Sequence, residues 1–111
     1  MNKEELKKSI ISLYKKLNPV KIILFGSWCK EEEDKYSDVD IIVIYETKKR
    51  FLDRLKELYL IWDIPIAFDI LAYTPEEFDK MLKEKNPFIE RINREGEVIY
   101  ERLEQGSSSM V

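Results

Sequence analysis

Apolar residues recur along the chain at two different periods, and the switching between them predicts the elements. Leu6, Ile10, Leu13 and Leu17 fall at helical spacing and give one buried stripe. Asn2 and Glu5 ahead of them have the spacing of a capping box, so a first helix is expected from Asn2 to a stop at Asn18-Pro19. Val20 to Phe25 is a dense β-type run, read as a strand buried on both faces. Gly26-Ser27 ends it, and a short helix or turn through Trp28–Lys30 is expected next. Asp38 to Tyr45 is the second strand. Thr47 is placed to cap a further helix that turns Phe51, Leu55, Leu58 and Trp62 inward. Pro65 to Leu71 reads as a third strand. Thr74-Pro75-Glu76-Glu77 combines a Thr cap, Pro at the first helical position and Glu three residues after the cap; the helix it opens uses Phe78, Met81 and Leu82. Asn86-Pro87 opens a last short helix with Ile89 and Ile92 inward and Gly96 as its stop, and Val98 to Tyr100 adds a small final strand.

The order α-β-α-β-α-β-α-α predicts an α/β domain: a small sheet of three to four strands with helices packed against it. A chain of 111 residues suffices for one core. Residues 1–104 are expected to form that single domain and 105–111, which include GSSSM, a disordered tail. The acidic run Glu31–Asp34 reads as a solvated loop.

Composition then narrows the chemistry. The apolar runs fall far short of the roughly 20 residues a membrane span needs, and MNKEELKKSI has no apolar signal core, so a cytoplasmic location and no membrane partner are expected. One cysteine excludes an internal disulfide. With no histidine, Ser-His-Asp and Cys-His catalysis are excluded within this chain, and histidine-based zinc sites with them. A net charge of -3 argues against nucleic acid as the main partner. Neither GxGxxG nor GxxxxGK[ST] is present. Carboxylates, lysines, hydroxyls and backbone amides remain.

The second strand carries the anomaly. Asp40 interrupts a run that otherwise reads VxIIVI, and an unpaired ionised carboxylate in an apolar layer costs several kcal/mol or more. Asp38 and Asp40 alternate onto one face, with Cβ atoms about 7 Å apart. Asp69, inside IAFDILA, is a third acid that a neighbouring strand would bring to the same end of the sheet. Three crowded acids raise one another's pKa unless a cation joins them, and hard oxygen ligands favour Mg²⁺ held jointly with substrate phosphates. Gly26-Ser27 supplies a complementary half: glycine lets backbone approach a ligand closely, and a helix start after it presents N–H groups to phosphate. Together they imply a nucleoside triphosphate.

Gly26-Ser27, ten residues, then Asp38-Val39-Asp40 resembles the GS-x10-DxD signature of the minimal nucleotidyltransferases, in the DNA polymerase β-like nucleotidyltransferase superfamily. SDVDIIVI looks like the family's metal-binding strand, Asp69 falls where its third carboxylate is expected, and NPFIERINREGEVIYE is similar to its ending. The resemblance implies the palm-like nucleotidyltransferase fold. It also implies that Asp38, Asp40 and Asp69 are catalytic and bind two Mg²⁺ ions, with Asp69 helping to activate the attacking hydroxyl. Gly26 and Ser27 would hold the triphosphate, and a nucleoside monophosphate, most often AMP from ATP, would pass to a hydroxyl. Small members of the family commonly act as antitoxins beside an all-helical HEPN toxin, which they inactivate by AMP transfer to a tyrosine. The sequence departs from the family where a basic residue often follows GS, as in GSRARG. Here Trp28-Cys29-Lys30 follows, and Lys30 would restore part of that charge.

Plainer readings stand beside these. Asp38 alone is ordinary turn chemistry before a strand, Asp69 alone fits a half-exposed strand, and Trp28 either stacks on a base or, the favoured reading, packs under the turn. A rival to the enzyme is a catalytically idle, nucleotide-binding antitoxin that works by covering its partner; self-association into a homodimer is open under both readings.

Overall fold

The computed structural model describes residues 2–29 and 38–103. Helix α1 (Lys3–Tyr14) starts where the Asn2 side chain accepts from the Glu5 N–H at 2.8 Å, and Asn18 closes the following turn in the left-handed region. Strand β1 (Lys21–Phe25) runs into a tight 3₁₀ turn over Gly26–Cys29. Strand β2 (Val39–Ile44), helix α2 (Phe51–Ile61), strand β3 (Phe68–Tyr73), helices α3 (Pro75–Lys83) and α4 (Pro87–Glu95), and strand β4 (Glu97–Glu101) complete the domain.

The sheet has four strands in the order β3-β2-β1-β4. Strand β1 is antiparallel to both neighbours, and β2 and β3 are parallel, joined across α2. Each central strand is apolar on both faces, because each face is covered. On one side α1 and α2 bury Leu6, Ile10, Tyr14 and Leu58 against Ile22, Leu24, Ile41, Val43 and Ile70. On the other, α3 and α4 bury Phe78, Ile89 and Ile92 against Ile23, Ile42 and Ile44. Gly96 stops α4 by packing rather than by a left-handed backbone: a Cβ there would stand 2.7 Å from Ile23 Cγ2. Lys3 and Lys7 pin α1 to β4 through Glu97 at 2.7 and 2.8 Å.

Three expectations need correction. Thr47 does not cap α2; its hydroxyl accepts from the Lys49 N–H in a turn, and Arg50 is the cap residue. Phe51 stands exposed at the start of α2, whereas Arg54 is buried. The charge of Arg54 is accommodated because its guanidinium donates to Glu77 at 2.6 and 3.1 Å and its Nε donates to the Lys49 carbonyl at 2.8 Å. Strand β3 begins at Phe68 instead of Pro65; the Ile66 carbonyl, inside the expected strand, accepts instead from the Trp62 indole N–H at 3.3 Å. The cap at Thr74 is as expected: the Glu77 N–H donates to its hydroxyl and the Glu77 carboxylate accepts from its N–H. Among the described residues, no helix is long and apolar enough to cross a membrane.

Candidate active site

Strand pairing decides which acids meet. Across β1, β2 and β3 the register aligns Phe25, Asp40 and Asp69 in one row. Paired residues share a sheet face, and neighbouring strands lie about 4.8 Å apart, so the two carboxylates stand side by side on the face that α3 and α4 cover. Asp38 lies one residue ahead of β2 and two from Asp40, at the same end of the sheet. Asp38 and Asp69 are exposed, and Asp40 is half-buried. Burial raises the Asp40 pKa above the ordinary carboxylate value, and the nearby charges of Asp69 and Asp38 push it the same way. The molecule thus holds an acid where its ionised form is disfavoured, which a structural role for Asp40 would not require.

The turn after β1 closes the other side. Gly26 has φ of +75°, a region that costs an L side chain strain. Any Cβ on it would also lie less than 3.0 Å from Asp40 Oδ2 and 3.3 Å from Asp40 Cγ. Glycine is therefore what lets the turn backbone close over the carboxylate. The backbone of Ser27 lies in the same turn, and Trp28 is buried in the core on the α1–α2 side, so it packs under the turn as favoured. Lys30, the acidic run Glu31–Asp34 and the 105–111 tail lie outside the described residues.

Among the described residues, no three Asp, Glu or Cys side chains are already gathered as a metal cage. The donor set nonetheless suits a hard divalent cation. It is all carboxylate oxygen, and its members repel through Asp40, a repulsion that a cation shared with substrate phosphate would relieve.

Two residues of this end escaped sequence reasoning. Phe25 is the third member of the row, and Phe88 of α4 packs edge-on against it with ring centroids 6.0 Å apart and an interplanar angle of 85°. A signal for Phe88 was there: Ile89 and Ile92 fix the inward face of α4, which leaves Phe88 off that face. A separate cavity of about 540 Å³, lined by Glu46, Thr47, Lys48, Thr74, Pro75 and Glu76, opens where β2 and β3 end, away from the acids.

The fold is that of the nucleotidyltransferases. A solved chain from a mutant of the toxin-antitoxin MntA-HpeT shares it with a TM-score of 0.56 at 15% identity, over 94% of this chain and 78% of that one. The polymerase beta nucleotidyltransferase family matches residues 7–105, and the chain belongs to that family, in its minimal nucleotidyltransferase branch, as the GS-x10-DxD spacing implied. It is 41% identical over 63 residues to MntA of Haemophilus influenzae, described as a protein adenylyltransferase, covering 53% of this chain and 55% of that protein. It is 36% identical over 87 residues to the protein MJ1305 of Methanocaldococcus jannaschii, given the same description, covering 75% of this chain and 59% of that protein. The matched segments thus span between half and two thirds of the length of these relatives.

Proposed function

We propose that this chain transfers AMP from ATP to a protein hydroxyl, with Asp38, Asp40 and Asp69 as its catalytic acids. One observation carries the reading: Asp40 and Asp69 are in register on adjacent parallel strands, with the Gly26 turn closed against Asp40. In this reading Gly26, Ser27 and Lys30 hold the triphosphate, and the three carboxylates hold two Mg²⁺ ions. Bound there, the metal supplies charge neutralisation for the attacking and leaving oxygens. Asp69, at the exposed edge strand, takes the proton of the acceptor hydroxyl. The hydroxyl oxygen bonds to the α-phosphorus, the bond from that phosphorus to the bridging oxygen breaks, and pyrophosphate leaves with the electron pair. Holding the groups in line contributes much of the rate.

The description of the two relatives as protein adenylyltransferases, and the toxin-antitoxin named for the structural neighbour, favour a protein acceptor. The acceptor we infer is a tyrosine hydroxyl of a HEPN-type toxin, in the cytoplasm. A binding-only antitoxin is the second reading, and exposed Leu52, Tyr59 and Leu60 on α2 favour a covering surface for it. Intact-mass measurement of such a partner after incubation with this chain, ATP and Mg²⁺ separates the two. A mass gain equal to AMP that Asp40→Asn and Asp69→Asn both abolish supports transfer. Neutralisation of the partner without a mass gain overturns transfer in favour of binding alone.

A further inference from the structure

We propose that Phe88, backed by Phe25, is the surface on which the nucleobase of the bound triphosphate stacks. The inference rests on the nucleotide-transfer reading of the same site. Phe88 leaves 47% of its surface exposed, although α4 already has an inward face in Ile89 and Ile92. Its position is fixed by more than packing. Pro87 occupies the first helical position, and the Asn86 side chain accepts from the Phe88 and Ile89 N–H groups at 3.0 and 3.2 Å. The backbone that carries the ring is therefore set before binding, and the ring itself rests edge-on against Phe25, so less ordering is left to be done by the ligand.

Place in the fold supplies the second argument. Phe25 is in register with Asp40 and immediately precedes Gly26, so the Phe25–Phe88 pair flanks the acid row on the side away from Asp69. The acceptor would approach from the Asp69 edge, which leaves the aromatic flank for the nucleoside. An edge-to-face pair keeps at least one face of each ring uncovered by the other, and every base has a π-face to lay on it. Among the described residues, the other exposed aromatics lie elsewhere. Tyr59 packs at a tilt against Phe68 on the α2 side, and Phe51 contacts Tyr73 at the far end of β3. Recognition by stacking reads ring area rather than a hydrogen-bond pattern, so base preference would be graded, with purines ahead of pyrimidines.

The test is calorimetric titration of the intact protein with ATP, CTP and inorganic tripolyphosphate, each with Mg²⁺, beside Phe88→Ala, Phe88→Leu and Phe88→Trp. Leucine keeps apolar volume against Phe25 without a π-face, and thermal unfolding checks each variant's fold. The expected result is a loss of about tenfold or more in ATP affinity for the Ala and Leu variants. Tripolyphosphate binding should be unchanged in all of them, the ATP-to-CTP ratio should narrow, and Trp should restore both. Unaltered ATP binding in Phe88→Leu, or an equal loss of tripolyphosphate, overturns the stacking role while leaving the nucleotide reading in place. A parent protein that binds neither ATP nor tripolyphosphate overturns both.

Discussion

Gly26 and Asp40 occupy space that only a hydrogen on the Gly26 Cα can share. A Cβ there would fall under 3.0 Å from Asp40 Oδ2, at a backbone φ of +75°. The Gly26 turn and the Asp40 carboxylate are thus one steric unit. Gly26→Ala should cost about 1–2 kcal/mol from the left-handed strain alone. It should also displace the Asp40 carboxylate and abolish Mg²⁺-dependent ATP binding. Urea unfolding and titration calorimetry measure the two effects; an Ala variant that binds ATP normally contradicts the unit.

Asp40 carries its charge at a cost to the fold. Its carboxylate is partly desolvated and repelled by Asp69 and Asp38. Asp40→Asn keeps the shape and removes the charge, so without metal it should raise Tm by a few degrees, about 0.5 kcal/mol after solvent screening. The same variant should lose metal-dependent ATP binding. A lower Tm for Asn than for Asp would show that the carboxylate is a stabilising part of the fold.

Arg54 joins three elements. Its guanidinium donates to the Glu77 carboxylate, its Nε to the Lys49 carbonyl, and a longer bond of 3.4 Å reaches the Ala72 carbonyl. Arg54→Ala removes a buried side chain and takes the donor from the half-exposed Glu77 carboxylate and from the Lys49 and buried Ala72 carbonyls, and should cost about 2–3 kcal/mol. Differential scanning calorimetry should show a Tm drop of roughly 10 °C or more. Because the cluster lies at the end of β3 away from the acids, ATP affinity measured below that Tm should be unchanged.

Acid should weaken the fold through Glu77, Glu57 and Glu97. The Arg54 bond lowers the Glu77 pKa below 4.5, the Lys49 bond does so for Glu57, and the Lys3 and Lys7 bonds do so for Glu97. A carboxylate with a depressed folded pKa contributes stability above its unfolded pKa, and that contribution is lost as pH falls through the folded value. As far as these carboxylates go, unfolding free energy should therefore be flat from about pH 5.5 to about pH 9 and fall steeply below about pH 4.5. Glu77→Gln should reduce the slope. An unchanged slope in that variant would show that the ion pair contributes nothing in solution, as many exposed pairs do.

Tyr14 gives a smaller effect with a clear sign. Its buried hydroxyl donates to the Leu58 carbonyl at 2.8 Å and links α1 to α2. Tyr14→Phe leaves that carbonyl without its donor and should cost about 1 kcal/mol, read by urea unfolding.

Much of this was written in local pattern. The caps at Asn2, Thr74 and Asn86 are short-range chemistry, in which a side chain answers a backbone group within three residues, and the two central strands and the Gly26-Ser27 to Asp38 spacing are likewise carried by residue type along one stretch of chain. The same locality explains the errors. Nothing near Arg54 signals that it is buried, because its partner Glu77 lies 23 residues away, whereas the Trp62 indole bonds to the Ile64 and Ile66 carbonyls are local but follow no capping or periodic pattern. A search for the ligand at the carboxyl ends of the parallel strands would have pointed to the cavity beside Thr47 and Thr74, away from the acids.

By itself, then, the sequence determined the elements, the family signature and the three acids, since each depends on residue type at short spacing. Only the tertiary structure decided that Asp40 faces Asp69, that Gly26 closes on Asp40 and that Phe88 stands beside that row. Those relationships are fixed by strand register and helix placement, which depend on how distant segments bury one another.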